Sequence, residues 1–225
     1  MKIYKKVLIA VSITFFCFML ILYLVLSNFV LKSFSEIEKQ NTIRNVESVK
    51  DTLSNEFFSL NRLIEDWASW DDTYEFIENR NEKYVKSNIQ DLTFESLGVN
   101  LFLFVNSTNG VVFGRVYDLE EKKEKPFPVN LQEYFSNYSV LLQHNILEKE
   151  SGDGLTGLVL FSNSSMLIAS RPILTSNGEG PSRGTMIIGR YFNEREISKL
   201  ANLTHLSLTI HYFEDPQLPE DFECR

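Results

Sequence analysis

The chain has 225 residues, a hydrophobic content of 44% and a formal net charge of -8 at pH 7. This length and composition suffice for one ordinary hydrophobic core with accessory segments, and leave little for a second domain. Lysine and arginine form no cluster beyond the N-terminus, so the footprint of a phosphate-backbone partner is missing and we expect no nucleic-acid partner. The two cysteines, Cys17 and Cys224, lie far apart and form neither a disulfide framework nor a CxxC pair.

Residues 7–27 are predicted to form a transmembrane helix. The run 7–26 carries no charged residue, and its length is about that needed to cross a hydrocarbon core of roughly 30 Å. A cleaved signal peptide is the alternative, but its apolar region is typically only about 7 to 15 residues long. By the positive-inside rule, lysines before the run place residues 1–6 in the cytoplasm and the rest of the chain outside. These lysines are Lys2, Lys5 and Lys6. The prediction is a single-pass protein of the cell membrane with an extracytoplasmic C-terminal domain.

Residues 28–65 are predicted to form a long membrane-proximal helix. The stretch 33–65 contains no proline or glycine, and from Val46 onward its apolar residues recur at spacings of three and four. The part 38–45 is polar on nearly every face, so it buries little surface by itself. Two interpretations follow. Either a second copy of the chain packs beside the helix in a loose coiled coil, giving a homodimer, or the helix packs only on its own domain.

Aromatic and acidic residues are concentrated at the start of the stretch 65–97. On a helical wheel of about 100° per residue, one arc carries the large apolar side chains and two aspartates lie on its borders. The arc holds Leu63, Trp67, Trp70, Tyr74 and Ile77, while Asp66 and Asp71 border it and Asp72 points away. The stripe is either core, with the aromatic side chains facing inward, or the wall of a ligand site. The helix can also break here, because Ser69-x-x-Asp72 and Asp72-x-x-Glu75 resemble capping boxes, and Asn79-Arg80-Asn81 resembles a helix end.

These residues resemble the signature of a known family. The segment Asp66-Trp67-Ala68-x-Trp70-Asp71-Asp72-Thr73-Tyr74-x-Phe76, followed by Tyr84, Asn88 and Thr93-Phe94-x-x-Leu97, is similar to CHASE4, a family of extracytoplasmic sensory domains. The resemblance covers residues 50–190 and is less specific in its second half, at Asn100, the Gly110 turn and Tyr117-Asp118. It implies a Cache-like or PAS-like fold, typically held between two transmembrane helices ahead of histidine kinase, PAS, HAMP or cyclic-dinucleotide output domains. It implies a sensory role and names no ligand.

The remaining chain predicts an antiparallel sheet behind the helices. The class is therefore α+β, with five to six strands in a sensor domain that spans residues 66–213. Two hairpins are expected, one from 99–105 and 111–117 around an Asn-Gly turn, the other from 155–161 and 166–174. Further strands are expected at 185–192 and 206–213, helices at 131–146 and from an Asn193 cap to Ala201, and a charged loop at 120–125.

No catalytic motif has the context that its chemistry requires. Gly152-x-Gly154-x-x-Gly157 fits the dinucleotide pattern, but it follows a predicted helix and opens a strand, so it is interpreted as a turn. The histidines form no HExxH or other metal spacing. A carboxylate pair for hydrolysis or a calcium site could form from Glu65, Asp66, Asp71 and Asp72 only if a second cluster converges on them. We therefore expect no enzyme, no metal and no cofactor, and keep a surface hydrolase as an alternative.

PAS-like geometry predicts a ligand pocket between the concave face of the sheet and the elements that cover it. Arg171, Arg190 and Tyr191 lie near the ends of predicted strands, among apolar residues. An arginine there can hold a carboxylate or phosphate through two parallel hydrogen bonds, which predicts a small anionic ligand. The alternative is that the arginines form rim salt bridges to Asp71 or Asp118.

The segment 214–225 is acidic, contains prolines and is too short to recross a membrane. The sequence therefore predicts an anchored ligand-sensing input module that lacks an output domain and a second transmembrane helix of its own. The alternative is an anchored surface interaction protein in which the tryptophan and aspartate motif is purely structural.

Overall fold

The computed structural model describes residues 2–127, 154–161, 164–178 and 180–210. The chain divides into two compact units, Met1–Lys50 and Asp51–Arg225. The helix predicted at 131–146 and the tail at 214–225 lie outside the described residues.

The first helix, α1, runs without interruption from Lys2 to Ala68. It therefore includes both predicted segments, 7–27 and 28–65. In the first unit its large apolar side chains are exposed, and it contains a segment long and apolar enough to cross a membrane. In the second unit, Leu60, Ile64 and Trp67 are buried, because their spacing of four and three puts them on one helical face.

Three short helices follow α1, and the residues between them suit helix ends. They are α2 (Asp71–Asn79), α3 (Glu82–Asn88) and α4 (Asp91–Leu97). Arg80 ends α2 with a φ of 50°, and the Asn81 side chain caps α3 by accepting a hydrogen bond from the Lys83 N–H at 2.9 Å. The helix end predicted at Asn79-Arg80-Asn81 is confirmed.

The described strands form one antiparallel sheet. They are β1 (Leu101–Asn106), β2 (Val111–Asp118), β3 (Lys123–Lys125), β4 (Leu155–Phe161), β5 (Ser164–Pro172) and β6 (Gly184–Tyr191). Their order is β3-β2-β1-β6-β5-β4, so β3 and β4 are the two edges. A last helix, α5 (Glu194–Thr204), follows β6 and is capped by Asn193, whose side chain accepts a hydrogen bond from the Glu196 N–H at 3.2 Å.

Most of the predicted strands are confirmed, and one is wrong. The hairpins β1-β2 and β4-β5, the strand β6 and the Asn193 cap lie where the sequence predicts them. The sixth strand is Lys123–Lys125, within the stretch predicted as a charged loop. Residues 206–210 form no strand, so the strand predicted at 206–213 is wrong for that part, and 211–213 lie outside the described residues.

Each face of the sheet carries a hydrophobic core. On one face, α1 to α4 pack on alternate residues of the strands, and Phe102, Phe104 and Ile188 are fully buried there. On the other face, Leu101, Leu103, Val105, Val116, Val159, Met166, Ile168 and Ile187 form a second buried cluster. The observed layers confirm the α+β class and place α1 against β5 and β6.

Candidate functional site

The chain turns sharply between α1 and α2, inside the tryptophan and aspartate motif. Trp70 is the N-terminal cap residue of α2, with an extended backbone and no hydrogen bond from its side chain. The predicted capping by Ser69 or Asp72 is therefore wrong. The Asp71 carboxylate instead accepts a hydrogen bond from the Ser176 N–H at 2.9 Å, in the connection between β5 and β6.

Because the helix breaks after Ala68, the two tryptophans differ in how deeply they are buried. Trp67 is 9% exposed and lies against Phe102, with ring centroids 5.2 Å apart. Trp70 stacks on Trp67 at 4.8 Å but is 39% exposed. The prediction that Trp70 faces inward is wrong. Trp70 has an extended backbone, so its side chain does not point in the direction that a continuous helix would give it. Tyr74 is half-buried, and its hydroxyl donates to the Pro181 carbonyl at 3.1 Å.

The aspartates of the motif do not converge. Asp66 and Asp72 are exposed on α1 and α2, while Asp71 serves the backbone contact to Ser176. Within the described residues, no group of three or more histidine, cysteine or acidic side chains is placed to hold a metal ion.

The connection between β5 and β6 contacts both helices that flank the α1–α2 turn. The Leu174 N–H donates to the carbonyl of Ala68, the last residue of α1, at 3.1 Å. Arg183 donates to the Tyr74 carbonyl at 3.0 Å, pairs with Glu78 at 3.0 Å and lies 3.8 Å from the centre of the Tyr74 ring. Arg183 is not among the residues predicted to form a site, and it lies immediately before β6.

Arg190 attaches β6 to α1. Its Nη1 lies 2.7 Å from Oε2 of Glu56, and its Nε donates to the Gly98 carbonyl at 2.6 Å. The other carboxylate oxygen of Glu56 accepts from Lys199 of α5 at 2.7 Å. The side chains of Arg190 and Glu56 are only 12% and 13% exposed, so this ion pair is largely removed from water.

Arg171 makes a second attachment, from β5 to α1. Its Nε donates to the Asn61 side-chain oxygen at 3.1 Å, and its Nη1 lies 3.2 Å from a carboxylate oxygen of Glu65. Gly154 lies so close to this pair that a Cβ would overlap Asn61 and Arg171. The predicted alternative of salt bridges to Asp71 or Asp118 is therefore wrong for both arginines. Their partners on α1, Glu56, Asn61 and Glu65, each lie next to a residue of its apolar stripe, and this position is the signal in the sequence that could have identified them.

Tyr191 lies on the opposite face of the sheet, apart from the two arginine side chains. Its backbone N–H donates to the Asn100 side chain at 2.9 Å, and burial raises the pKa of its hydroxyl. A cavity of about 30 Å³ beside it is also lined by Arg190 and Asp118. That volume is about the share of one water molecule, so it is too small for an organic ligand.

Asp118 is held in place at the end of β2. Burial favours its neutral form, but hydrogen bonds from Lys125 and from the backbone N–H groups of Glu121 and Glu120 outweigh this effect. They lower the pKa of the carboxyl below its ordinary value. The arrangement ties the edge strand β3 to β2.

Solved structures share this fold at low sequence identity. The chain is similar to a domain of a sensory box/GGDEF family protein from Vibrio parahaemolyticus, with a TM-score of 0.50 and 12% identity over 72% of this chain and 62% of that one. It is also similar to the ligand-binding domain of the chemoreceptor Tlp3 from Campylobacter jejuni in complex with L-valine, with a TM-score of 0.45 and 14% identity over 71% of this chain and 58% of that one. The first of these likenesses agrees with the predicted Cache/PAS-like fold.

The sequence comparisons agree with the fold. The methanogenesis regulatory histidine kinase FilI of Methanothrix harundinacea (strain 6Ac) is 28% identical over 193 residues, which are 84% of this chain and 21% of that protein. This chain therefore spans about a fifth of the length of that relative. The CHASE4 domain model matches residues 52–211, which begin at the packed part of α1. The chain belongs to the CHASE4 domain family.

Proposed function

We propose that the chain is the extracytoplasmic input module of a membrane receptor. Its family is a family of sensory domains, which supports a signal-sensing role, and the apolar segment of α1 supports attachment to the membrane. The lysines at the start of the chain support a cytoplasmic N-terminus, with the sheet outside. Since the relative FilI is a histidine kinase, we also propose that the signal passes to an output domain, in the same receptor or in a partner chain.

The observation that carries this proposal is the attachment of α1 to the sheet through largely buried polar groups. Glu56 is bound by Arg190 of β6 and by Lys199 of α5, and Arg171 of β5 binds Asn61. The attached residues Glu56 and Asn61 belong to α1, which also contains the apolar segment, and we propose that a change in their attachment to β5 and β6 is the signal that the module passes on.

In this mechanism, a ligand that binds one arrangement of the sheet and α1 more tightly shifts the population toward that arrangement. Arg171 and Arg190 act as attachments, since their donors already serve α1 and the Gly98 carbonyl. The small anionic ligand predicted from the sequence would have to replace Glu56 or Glu65 to reach them.

The test uses the two tryptophans of the chain as a label-free reporter, because both lie at the α1–α2 turn. The full chain in lipid nanodiscs is screened by thermal shift against small metabolites, and tryptophan emission is recorded for every compound that raises Tm. We expect a ligand to change the emission of the natural chain. The Arg190→Ala chain should still bind the ligand, with a smaller change in tryptophan emission. The Trp70→Phe chain shows which of the two tryptophans gives the change. A ligand that binds without moving the emission of the natural chain would refute the coupling.

A homodimer through residues 28–50 is part of the proposal. Phe34 and Ile37 lie three residues apart on α1, and therefore on one face of it, and they expose 67% and 56% of their surface, which a second helix could cover. In a chain without its natural cysteines, Ile37→Cys should form a disulfide-linked dimer in membranes, whereas Lys39→Cys, on the opposite side of the helix, serves as the comparison. Equal yields from both positions would argue against this face.

The alternative of a surface interaction protein is favoured by one observation. Phe58 of α1 and Leu158 and Leu160 of β4 are 62%, 46% and 58% exposed, an unusual apolar content for a free surface. If these exposed apolar residues are the functional surface, Leu158→Lys should abolish association of purified chains, and no metabolite should shift the tryptophan emission.

A further inference from the structure

A groove of about 680 Å³ lies between the α3–α4 region and β2. This volume falls in the range of small-molecule sites, roughly 300 to 1,000 Å³. Its apolar lining is Val85, Ile89, Leu92 and Phe113, and its polar lining is Lys86, Gln90, Asp91, Arg115 and Glu124. The groove shares no lining residue with the arginine attachments or the tryptophan pair, so it offers the module a separate place for a ligand.

The apolar wall of the groove is rigid at its base and open at its mouth. Ile89 is 2% exposed, and the Phe113 ring lies 6.2 Å from both Phe76 and Phe104, which fix its position. Leu92 is 70% exposed at the rim. A ligand with an apolar body that covers Phe113 and Leu92 therefore removes apolar surface from water, which favours binding.

Arg115 is a fixed part of the wall. Its Nη1 donates to the Ile89 carbonyl at 2.7 Å, its Nη2 to Asp91 at 2.6 Å and its Nε to Glu124 at 3.1 Å. Its guanidinium also lies 5.5 Å from the centre of the Phe94 ring. With contacts at all three nitrogens, Arg115 is poorly placed to become the receptor of an anion.

The carboxylates beside Arg115 are more accessible than the arginine itself. Asp91 and Glu124 are 60% and 63% exposed, against 20% for Arg115. Each carboxylate contacts Arg115 through one oxygen, and within the described residues its other oxygen makes no hydrogen bond or ion pair. Lys86 pairs with Glu82 at 2.8 Å. Both cations that line the groove are therefore already paired, whereas Asp91 and Glu124 keep accessible oxygens, which favours a positively charged ligand.

We propose that this groove binds a small organic cation with an apolar body, such as a substituted amine. The charged nitrogen lies beside the accessible oxygens of Asp91 and Glu124, and the apolar body lies on Ile89, Phe113 and Leu92. The inference rests on the proposed sensing function and names its ligand class. That class is opposite in charge to the anion predicted near Arg171 and Arg190.

The test measures binding to the full chain in nanodiscs by isothermal titration, with empty nanodiscs as the blank. The probes are benzyltrimethylammonium, phenylacetate and benzyl alcohol, which share a benzyl group and differ in charge. We expect the cation to bind at least about tenfold more tightly than the other two, because the accessible oxygens of Asp91 and Glu124 attract it. Tighter binding of phenylacetate, or no binding of the cation, overturns the proposal.

Variants locate the bound cation. Asp91→Asn should weaken it about tenfold, and Leu92→Lys, at an exposed rim position that makes little demand on folding, should weaken it about threefold by repulsion. Leu203→Lys on α5, where the leucine is 58% exposed and outside the groove, is the matched control and should have no effect. Equal affinity in the Leu92→Lys and Leu203→Lys chains places the cation elsewhere and overturns the proposal.

The titration, together with the tryptophan emission, distinguishes failure of the groove proposal from failure of the proposed sensing function. Binding that responds to Leu92→Lys without changing the tryptophan emission supports the groove and counts against coupling to the α1–α2 turn. A metabolite that changes the emission while the cation fails to bind supports sensing and overturns the groove.

Discussion

Replacing Glu56 by glutamine tests whether the largely buried ion pair holds α1 on the sheet. The substitution keeps the shape of the side chain but leaves Arg190, only 12% exposed, without its counter-charge, and it also weakens the contact to Lys199. Breaking a buried pair in this way costs about 3 to 5 kcal/mol. Because both side chains keep some contact with water, we expect the loss in unfolding free energy to be about 2 to 4 kcal/mol. For a protein of this size, that loss lowers Tm by about 5 to 15 °C.

The assay is thermal unfolding of the full chain in nanodiscs, followed by near-UV circular dichroism. Glu82→Gln is the matched control, because its pair with Lys86 is exposed, with 83% and 75% of the side chains accessible. That pair should contribute almost nothing, so its Tm should stay within error of the natural chain. If Glu56→Gln lowers Tm no more than Glu82→Gln does, the pair does not hold α1 and the coupling argument fails.

Three further predictions concern the core and the β2 end. Trp67→Ala should lower the unfolding free energy by about 3 to 5 kcal/mol, as for a buried aromatic residue, measured by chemical denaturation. Tyr84→Phe should cost about 1 to 2 kcal/mol, because it removes the 2.7 Å hydrogen bond that satisfies the fully buried Thr73 hydroxyl. Burial raises the pKa of Tyr84 to about 12, so the natural chain should lose stability above about pH 10 and Tyr84→Phe should lose less. Asp118→Asn should lower Tm at neutral pH, where the carboxylate accepts from Lys125 and two backbone N–H groups.

The pH dependence of Asp118→Asn has a defined sign. Because the folded state lowers the pKa of Asp118, the stabilisation is present above the ordinary aspartate pKa of 3.8 and is lost as pH falls toward the folded value. The Tm difference between the natural chain and Asp118→Asn should therefore shrink below about pH 4. A constant difference down to pH 3 would show that the effect is steric. For Trp67→Ala, unchanged stability with loss of ligand response would favour a binding role over a structural one.

Local signals in the sequence predicted much of the fold. The β1-β2 hairpin follows from two apolar runs joined by Asn109-Gly110, and Asn109 adopts the positive φ, 62°, that such a turn needs. The Asn193 cap follows from its spacing to Glu196. In these places the determining contact lies within a few residues of chain.

The break between α1 and α2 could not be predicted with its correct boundaries. The helical wheel of the motif continues through Trp70, whereas the actual end of α1 is fixed by the Leu174 N–H, which comes from the other half of the chain. The strand β3 could not be predicted for the same reason. Lys123–Lys125 has the composition of a loop, and its strand conformation depends on pairing with the end of β2.

The partners of the two arginines also could not be predicted from residues nearby in the sequence. Arg190 and Glu56 are separated by 134 positions in sequence, and Arg171 and Asn61 by 110. The sequence placed both arginines on strands among apolar residues, but which carboxylate each one meets depends on how α1 crosses the sheet. Because both arginines bind side chains of α1, we interpret them as residues that attach α1 to the sheet and not as ligand contacts.

The two edges of the sheet differ in how they resist unwanted strand pairing. β3 is three residues long and carries Lys123 and Lys125, a combination that discourages another strand from adding to the sheet. β4 has seven residues, none of them charged, and Leu158 and Leu160 are exposed along it. Aggregation of the purified domain should therefore begin at β4, and a single lysine at Leu160 should raise its solubility more than any change at β3.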